Sequence, residues 1–135
     1  TVDQVWKAHH DPATMQRWLL GPDGWTMPVC EVANRVGDTY RNEWENAETG
    51  DRFGFTGELL ESQPPHREVT TEGMIGMDGP PAVNEMTLHP VEGGTLLVLV
   101  ITYPSKEVRD MVLETGMVDG METSYARLEN EVLAA

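Results

Sequence analysis

The chain has 135 residues, which is the size of one domain, and its 39% hydrophobic and 24% charged residues are typical of a folded globular protein. Its 9 Lys and Arg residues against 23 Asp and Glu residues give a formal net charge of -14. Such a charge repels a phosphate backbone or an anionic membrane surface, so neither nucleic acid nor membrane is an expected partner.

The cysteine content and the apolar runs indicate the compartment. Cys30 is the single cysteine, so an intrachain disulfide cannot form. The longest uninterrupted apolar run, Leu96 to Ile101, is far shorter than the ~20 residues that span a bilayer. We therefore expect a cytoplasmic protein.

Two short helices are predicted at the start of the chain. Thr1 and Gln4 have the spacing of a capping box. Asp11 followed by Pro12 is typical of a second helix start, and the turn at residues 21–24 ends that helix.

Between Trp25 and Tyr103 the hydrophobic pattern has a period of two, which predicts six strands. Tyr40, Trp44 and Phe55 lie in phase on neighbouring strands. Turn residues separate the strands: Val36-Gly37-Asp38, Glu48-Thr49-Gly50-Asp51, Pro64-Pro65, Gly76 to Pro81 and Glu92-Gly93-Gly94. Short turns between consecutive strands predict an antiparallel meander.

One long C-terminal helix is predicted after Pro104-Ser105. At about 100° per residue, its apolar residues fall on one stripe: Met111, Val118, Met121, Tyr125, Leu128 and Val132. This helix must cover the sheet, so residues 1–135 are interpreted as a single α+β domain.

Several segments together resemble the family of activator of heat-shock protein 90 ATPase homologue-like proteins, and the match covers nearly the whole chain. They are Val5-Trp6-Lys7-Ala8, Asp11-Pro12, Trp18, Gly37-Asp38-Thr39-Tyr40, Thr56-Gly57-Glu58, Pro64-Pro65, Gly93-Gly94-Thr95 and Gly120-Met121 to Leu128. This family belongs to the START/SRPBCC superfamily of birch allergens and polyketide cyclases. The resemblance implies a helix-grip fold, in which a curved antiparallel sheet wraps around the C-terminal helix and a hydrophobic cavity lies between them.

The chain departs from this family at two points. Members usually carry a strand before the first helix, and this sequence starts too late to include it. The family tends to place a tryptophan in the terminal helix where this chain has Met121. The second departure suggests a cavity that is lined differently or is roomier.

The motifs of common catalytic and cofactor sites are missing. His9-His10-Asp11 lacks metal-ligand spacing, and Cys30 lacks electropositive surroundings. There is no G-x-S-x-G, P-loop or dinucleotide-binding motif. We therefore expect no metal, no cofactor and no catalytic residue.

Glu114 is a candidate cavity carboxylate because it shares the helical stripe with the apolar residues. The alternative is that Thr115-Gly116 bends the helix and turns Glu114 to solvent. The full set of expected cavity residues is Trp18, Met27, Tyr40, Trp44, Phe55, Met111, Glu114, Val118, Met121 and Tyr125. The same aromatic and methionine residues would also suit an ordinary core.

Three functions follow as hypotheses. The first is non-enzymatic binding of a small hydrophobic molecule, such as a lipid, between the sheet and the C-terminal helix. The second is a chaperone ATPase co-regulator, as the family resemblance implies. The third and least favoured is a cyclase or hydrolase with Glu114 or Tyr125 as acid or base.

The last predicted strand, Thr95 to Tyr103, is apolar on both faces, as a central strand would be. Without a neighbour it would be an edge with open backbone groups. We therefore expect either that residues upstream of Thr1 existed in the natural protein, or that this edge pairs with a second copy to form a homodimer.

Overall fold

The computed structural model describes residues 1–133 and contains the predicted order of elements. The helices are α1 (Val2–Ala8), α2 (Pro12–Trp18), α3 (Lys106–Glu114) and α4 (Met117–Arg127), which a π-helical turn (Leu128–Val132) continues. The strands are β1 (Trp25–Glu31), β2 (Thr39–Asn46), β3 (Arg52–Gln63), β4 (Arg67–Met74), β5 (Ala82–Val91) and β6 (Gly94–Thr102).

The six strands form one curled antiparallel sheet in which each strand pairs with its neighbours in sequence. The predicted meander is confirmed. Side chains alternate between a concave face, on which the helices lie, and a convex face. The register places Tyr40, Trp44 and Phe55 together on the concave face, as their phase predicted.

The prediction of one continuous C-terminal helix is wrong, because the helix breaks at Gly116. Ser105 caps α3 as predicted, but α3 ends at Glu114, and Gly116 has φ 82°, a left-handed conformation that interrupts the helical hydrogen bonds. The helical stripe therefore does not continue across the break. The alternative prediction, a bend at Thr115-Gly116, describes the structure.

This break corrects the positions of three expected cavity residues. Met111 is 52% exposed, Val118 is 47% exposed, and Glu114 is also exposed. The expectation that they face the interior is wrong, because the predicted apolar stripe requires an unbroken helix. The buried residues of the C-terminal segment, Ser124 and Leu128, lie near its far end.

The hydrophobic core has two clusters at the end of the sheet where α1 and α2 lie. In the first, Val5 of α1 packs against Met86 and Leu88 of β5. In the second, Trp18 of α2 packs against Ala8 and Leu128. The second cluster joins the end of the C-terminal segment to both N-terminal helices.

Strand β6 lies at an edge of the sheet. Leu96, Val98 and Val100 alternate along its convex face and are exposed. The pairing of this edge with a second copy, and the existence of residues upstream of Thr1, stay predictions.

Gly57 in β3 allows a close approach that no side chain could accommodate. A Cβ atom at this position would overlap the carbonyl oxygen of Thr71 and would lie 2.8 Å from the ring of Tyr40. The Tyr40 ring therefore lies across the sheet over Gly57, and its hydroxyl donates a hydrogen bond of 2.6 Å to the Thr71 carbonyl.

Gly57→Ala is expected to destabilise the protein by about 3 kcal/mol, the upper range for inserting a methyl group where no space exists. Gly73→Ala on β4 is the matched control, because its Cβ would have its nearest contact at 3.9 Å. Urea unfolding should show a much lower midpoint for Gly57→Ala than for Gly73→Ala. Equal midpoints would contradict the close approach of the Thr71 backbone and the Tyr40 ring to Gly57.

Candidate functional site

Four aromatic rings form a continuous apolar surface on the concave face of β1, β2 and β3. Trp44 stacks on Phe53 at 5.3 Å between ring centroids, and Trp25 meets Phe53 edge-on at 5.2 Å. Phe55 lies 6.0 Å from both Trp44 and Phe53. We call these four residues the aromatic surface.

The aromatic surface is held by a hydrogen bond at Trp44 and is incompletely covered. The indole Nε1 of Trp44 donates a hydrogen bond of 2.7 Å to the carbonyl of Leu19, which fixes the ring. Phe53 is 39% exposed and Met74 is 40% exposed. Met74 pairs with Phe55 across β3 and β4. Fixed, partly exposed rings on a concave face are typical of a small-molecule site.

A group of polar side chains borders the aromatic surface. Glu72 of β4 accepts a hydrogen bond of 2.8 Å from the Asn84 amide of β5. The alternation of the strand places Glu72 on the same face as Met74, two residues away. The hydroxyls of Tyr40 and Tyr103 lie close enough to respond to its charge. We call Tyr40, Glu72, Asn84 and Tyr103 the polar cluster.

The protonation equilibria of the polar cluster are shifted. Burial raises the pKa of Glu72, although the hydrogen bond from Asn84 partly opposes this shift. Burial and the negative charge of Glu72 raise the pKa values of Tyr40 and Tyr103. A half-buried carboxylate with a raised pKa among neutral donors and aromatic rings is typical of a functional site.

Two carboxamide oxygens near these groups are buried and have no hydrogen-bond partner among residues 1–133. They are Oδ1 of Asn84 and Oδ1 of Asn42, and Asn42 pairs with Phe55 across β2 and β3. Thr95 Oγ1 is a third such atom, near the other end of the sheet. Because buried polar atoms are almost always hydrogen-bonded, these acceptors indicate places where a bound molecule or a water would donate.

The adjacent histidines that follow α1 differ in charge: His10 is protonated and His9 is neutral. His10 donates from Nδ1 to the Trp6 carbonyl at 2.6 Å and from Nε2 to Glu68 at 2.5 Å, so both nitrogens carry hydrogen. Burial alone would lower the pKa of His10, but the hydrogen bond to Glu68 and its charge raise it. His10 and Glu68 therefore form an ion pair beside the core.

The hydrogen bonds of His9 and its burial indicate a neutral imidazole. Its Nδ1 donates to the Val5 carbonyl at 2.8 Å, and its Nε2 accepts a hydrogen bond of 3.1 Å from the Tyr125 hydroxyl. Burial lowers the pKa of His9 and raises the pKa of Tyr125 to about 12. This pair holds Tyr125 against Trp18.

The remaining predicted site residues divide between core and concave face. Trp18 is fully buried and Met27 is buried, so both belong to the core. Met121 and Tyr125 are half-buried on α4. The structure therefore brings together Tyr40, Trp44 and Phe55, and it places Glu114 elsewhere.

Sequence reasoning missed Glu72, Asn84 and Glu68. Val69 is buried, and strand alternation places Glu68 and Glu72 on the opposite face of β4. The sequence pattern therefore indicates that both acids face solvent. The signal that could have found them is their register opposite Met86 and Ala82, two buried residues of β5.

A surface pocket of about 530 Å³ lies away from the concave site. Backbone and side chains at the start of α1 and in two turns line it: Thr1, Val2, Asp3, Pro65, His66, Pro90, Val91, Gly93 and Gly94. It contains no predicted site residue and no buried charge. The concave face carries the stronger chemical features.

Cys30 is unsuited to nucleophilic chemistry. Its thiol lies 3.7 Å from the sulfur of Met15. Burial and the charge of Asp11 raise the pKa of Cys30 to about 11, which leaves little thiolate at neutral pH.

The comparisons with known proteins place the chain in a family. Residues 1–132 match the family model described as activator of Hsp90 ATPase homolog 1-like protein. The chain belongs to this family. No curated protein is significantly similar to it.

Solved structures share the fold. A protein from Rhodobacter sphaeroides is 32% identical, with a TM-score of 0.90 over 100% of this chain and 87% of that chain. A Mycobacterium smegmatis protein is 22% identical, with a TM-score of 0.86 over 99% and 85% of the two chains. The AHSA1 protein of Silicibacter pomeroyi is 21% identical, with a TM-score of 0.76 over 99% and 91%.

The family and these neighbours establish the predicted helix-grip fold of the START superfamily. They support a general role in ligand binding or a co-chaperone-like role. Within residues 1–133, no helix is long and apolar enough to cross a membrane.

Glu72→Gln is expected to stabilise the protein at neutral pH. The pKa of Glu72 is higher in the folded chain than its ordinary value of 4.5. The contribution of this side chain to folding stability is therefore complete below pH 4.5 and is lost as the pH rises through the folded-state pKa. Glutamine stays neutral and can still accept from Asn84. We expect the melting temperature to rise by about 3 °C at pH 7, which roughly 1 kcal/mol produces in a domain of this size.

The matched control is Glu58→Gln, which removes one negative charge from an exposed position on the opposite face of β3. Thermal unfolding followed by circular dichroism between roughly pH 4 and pH 8 should show an advantage of Glu72→Gln that grows with pH. A pH-independent difference would contradict the burial of an ionisable Glu72.

Proposed function

We propose that this protein binds a small hydrophobic ligand, without catalysing its conversion, on the concave face between the sheet and α4. The observation that carries the proposal is the aromatic surface: Trp25, Trp44, Phe53 and Phe55 form a connected set of rings that the helices leave partly exposed. Burial of this apolar area by a ligand supplies the driving force for binding.

The arrangement of the helices supports the same proposal. The C-terminal segment packs tightly only at its far end, where Leu128 joins the core around Trp18. Near its start, Met117 lies 3.7 Å from the Tyr103 hydroxyl, and Met121 is half-buried. Flexible thioether side chains in this position can adapt to ligands of different shape. In this proposal Met27, Tyr40, Trp44, Phe55, Met121 and Tyr125 support or line the site, together with Phe53.

One observation favours a second candidate, a co-chaperone-like interaction with a protein partner. Met111, Leu113 and Val118 are each about half exposed on α3 and the start of α4. Exposed apolar side chains near an acidic surface suit a partner with an apolar patch and basic residues around it. None of these three residues belongs to the aromatic surface, so substitutions can test the two candidates separately.

The ligand-binding proposal predicts that the neutral fluorescent probe N-phenylnaphthylamine binds the folded protein. Phe53→Ser should weaken binding by roughly tenfold, because it removes the most exposed ring of the aromatic surface and about 1.4 kcal/mol of apolar contact. Met121→Trp should also weaken binding, since the larger indole fills space opposite the rings. Fluorescence titration gives the affinities.

Val100→Ser is the matched control. Val100 is 51% exposed on the convex face of β6, so this change removes a comparable apolar group from the other side of the sheet. It should leave probe affinity within about twofold. If Phe53→Ser and Val100→Ser have equal effects, the probe binds apolar surface in general and the proposal fails.

A further inference from the structure

We propose that the ligand is an aromatic molecule that carries a protonated amine on a short alkyl chain, and that Glu72 and the carboxamide oxygen of Asn84 bind the amine. The inference rests on the proposed function and specifies the chemical class of its ligand. Three independent features of the concave face support it: its charges, its unpartnered acceptors and the spacing between its polar and aromatic parts.

The charges of the concave face favour a cation. Of the acidic residues that face this side of the strands, Glu68 is neutralised by His10, whereas Glu72 has no cationic partner within residues 1–133. The arginines of the strands, Arg41, Arg52 and Arg67, pair with glutamates of the convex face. An anionic ligand would therefore meet the half-buried negative charge of Glu72, which forms no ion pair with a basic side chain within residues 1–133.

The hydrogen-bonding groups of the concave face also favour a donor. Asn84 donates its amide hydrogen to Glu72, which assigns the orientation of the amide and leaves its Oδ1 as the unpartnered atom. Asn42 presents a second unpartnered acceptor beside Phe55. An ammonium group has three donors and no acceptor, so it complements the Asn84 oxygen and the Glu72 carboxylate together.

The spacing of the two parts sets the length of the ligand. Phe55 pairs with Met74, and Glu72 lies two residues before Met74 on the same face of β4. Positions two residues apart on a strand are roughly 7 Å apart. A ring stacked on Phe55 or Phe53 can therefore place an amine at Glu72 through one or two methylene groups. The rings of Tyr40 and Phe55 can also contact the ammonium group of such a ligand through cation–π interactions.

Three probes with one ring system test this inference: naphthylethylamine, naphthylethanol and naphthylpropionate. Isothermal titration calorimetry at neutral pH should show the amine binding at least about tenfold more tightly than the propionate, the ratio expected for one charge-assisted hydrogen bond. Glu72→Gln should weaken the amine by roughly tenfold and leave the alcohol within about twofold. Glu58→Gln, which removes an equal charge from the convex face, should change neither.

The outcomes separate this inference from the proposed function. If the alcohol binds but all three probes bind equally, or the propionate binds most tightly, the ligand class is wrong while the concave site stands. If Glu72→Gln and Glu58→Gln weaken the amine equally, the amine responds only to the overall negative charge, and the role of Glu72 is overturned. If none of the three probes binds, both proposals fail.

Discussion

The burial of Trp18 is the interaction on which the rest of the structure depends. Its indole is completely buried, donates a hydrogen bond of 3.0 Å to the carbonyl of Ala8, and lies 4.9 Å from the ring of His9 and 5.2 Å from that of Tyr125. One side chain thus joins α1, α2 and the C-terminal segment. The C-terminal segment is anchored at this end, and the aromatic surface toward the other end of the concave face stays partly exposed.

The concave face has one end that the C-terminal segment is anchored to and one end that stays open. The polar groups at these two ends differ in how completely they are hydrogen-bonded. Near the anchored end, His9 and His10 are fully hydrogen-bonded, and their charge states follow from their partners. Near the open end, Glu72 is half-buried with a raised pKa, and the Asn84 oxygen has no hydrogen-bond partner within the described residues. Unbalanced polar groups lower stability. Their presence beside exposed rings is the pattern of a binding site that trades stability for function.

Sequence reasoning predicted the sheet well because its signals are local. The in-phase aromatics of β2 and β3 and the glycine and proline turns between strands report backbone geometry directly. The break at Gly116 was foreseen only as an alternative, since a glycine inside a helical pattern is compatible with both outcomes. Glu72 could not be found this way, because its burial depends on register with β5 and on a curled sheet, which are long-range properties. The helical projection selected Glu114 instead, for a helix that is not continuous.

The most direct test of the account is the response of the four tryptophan indole NH signals in a ¹H–¹⁵N NMR titration with naphthylethanol. Binding on the concave face should shift the signals of Trp25 and Trp44, which belong to the aromatic surface. The signals of Trp18, which is fully buried, and of Trp6, which stacks on His10 beside the core, should change little. Shifts confined to Trp6, or to backbone amides of α3 and the convex face of β6, would contradict binding on the concave face.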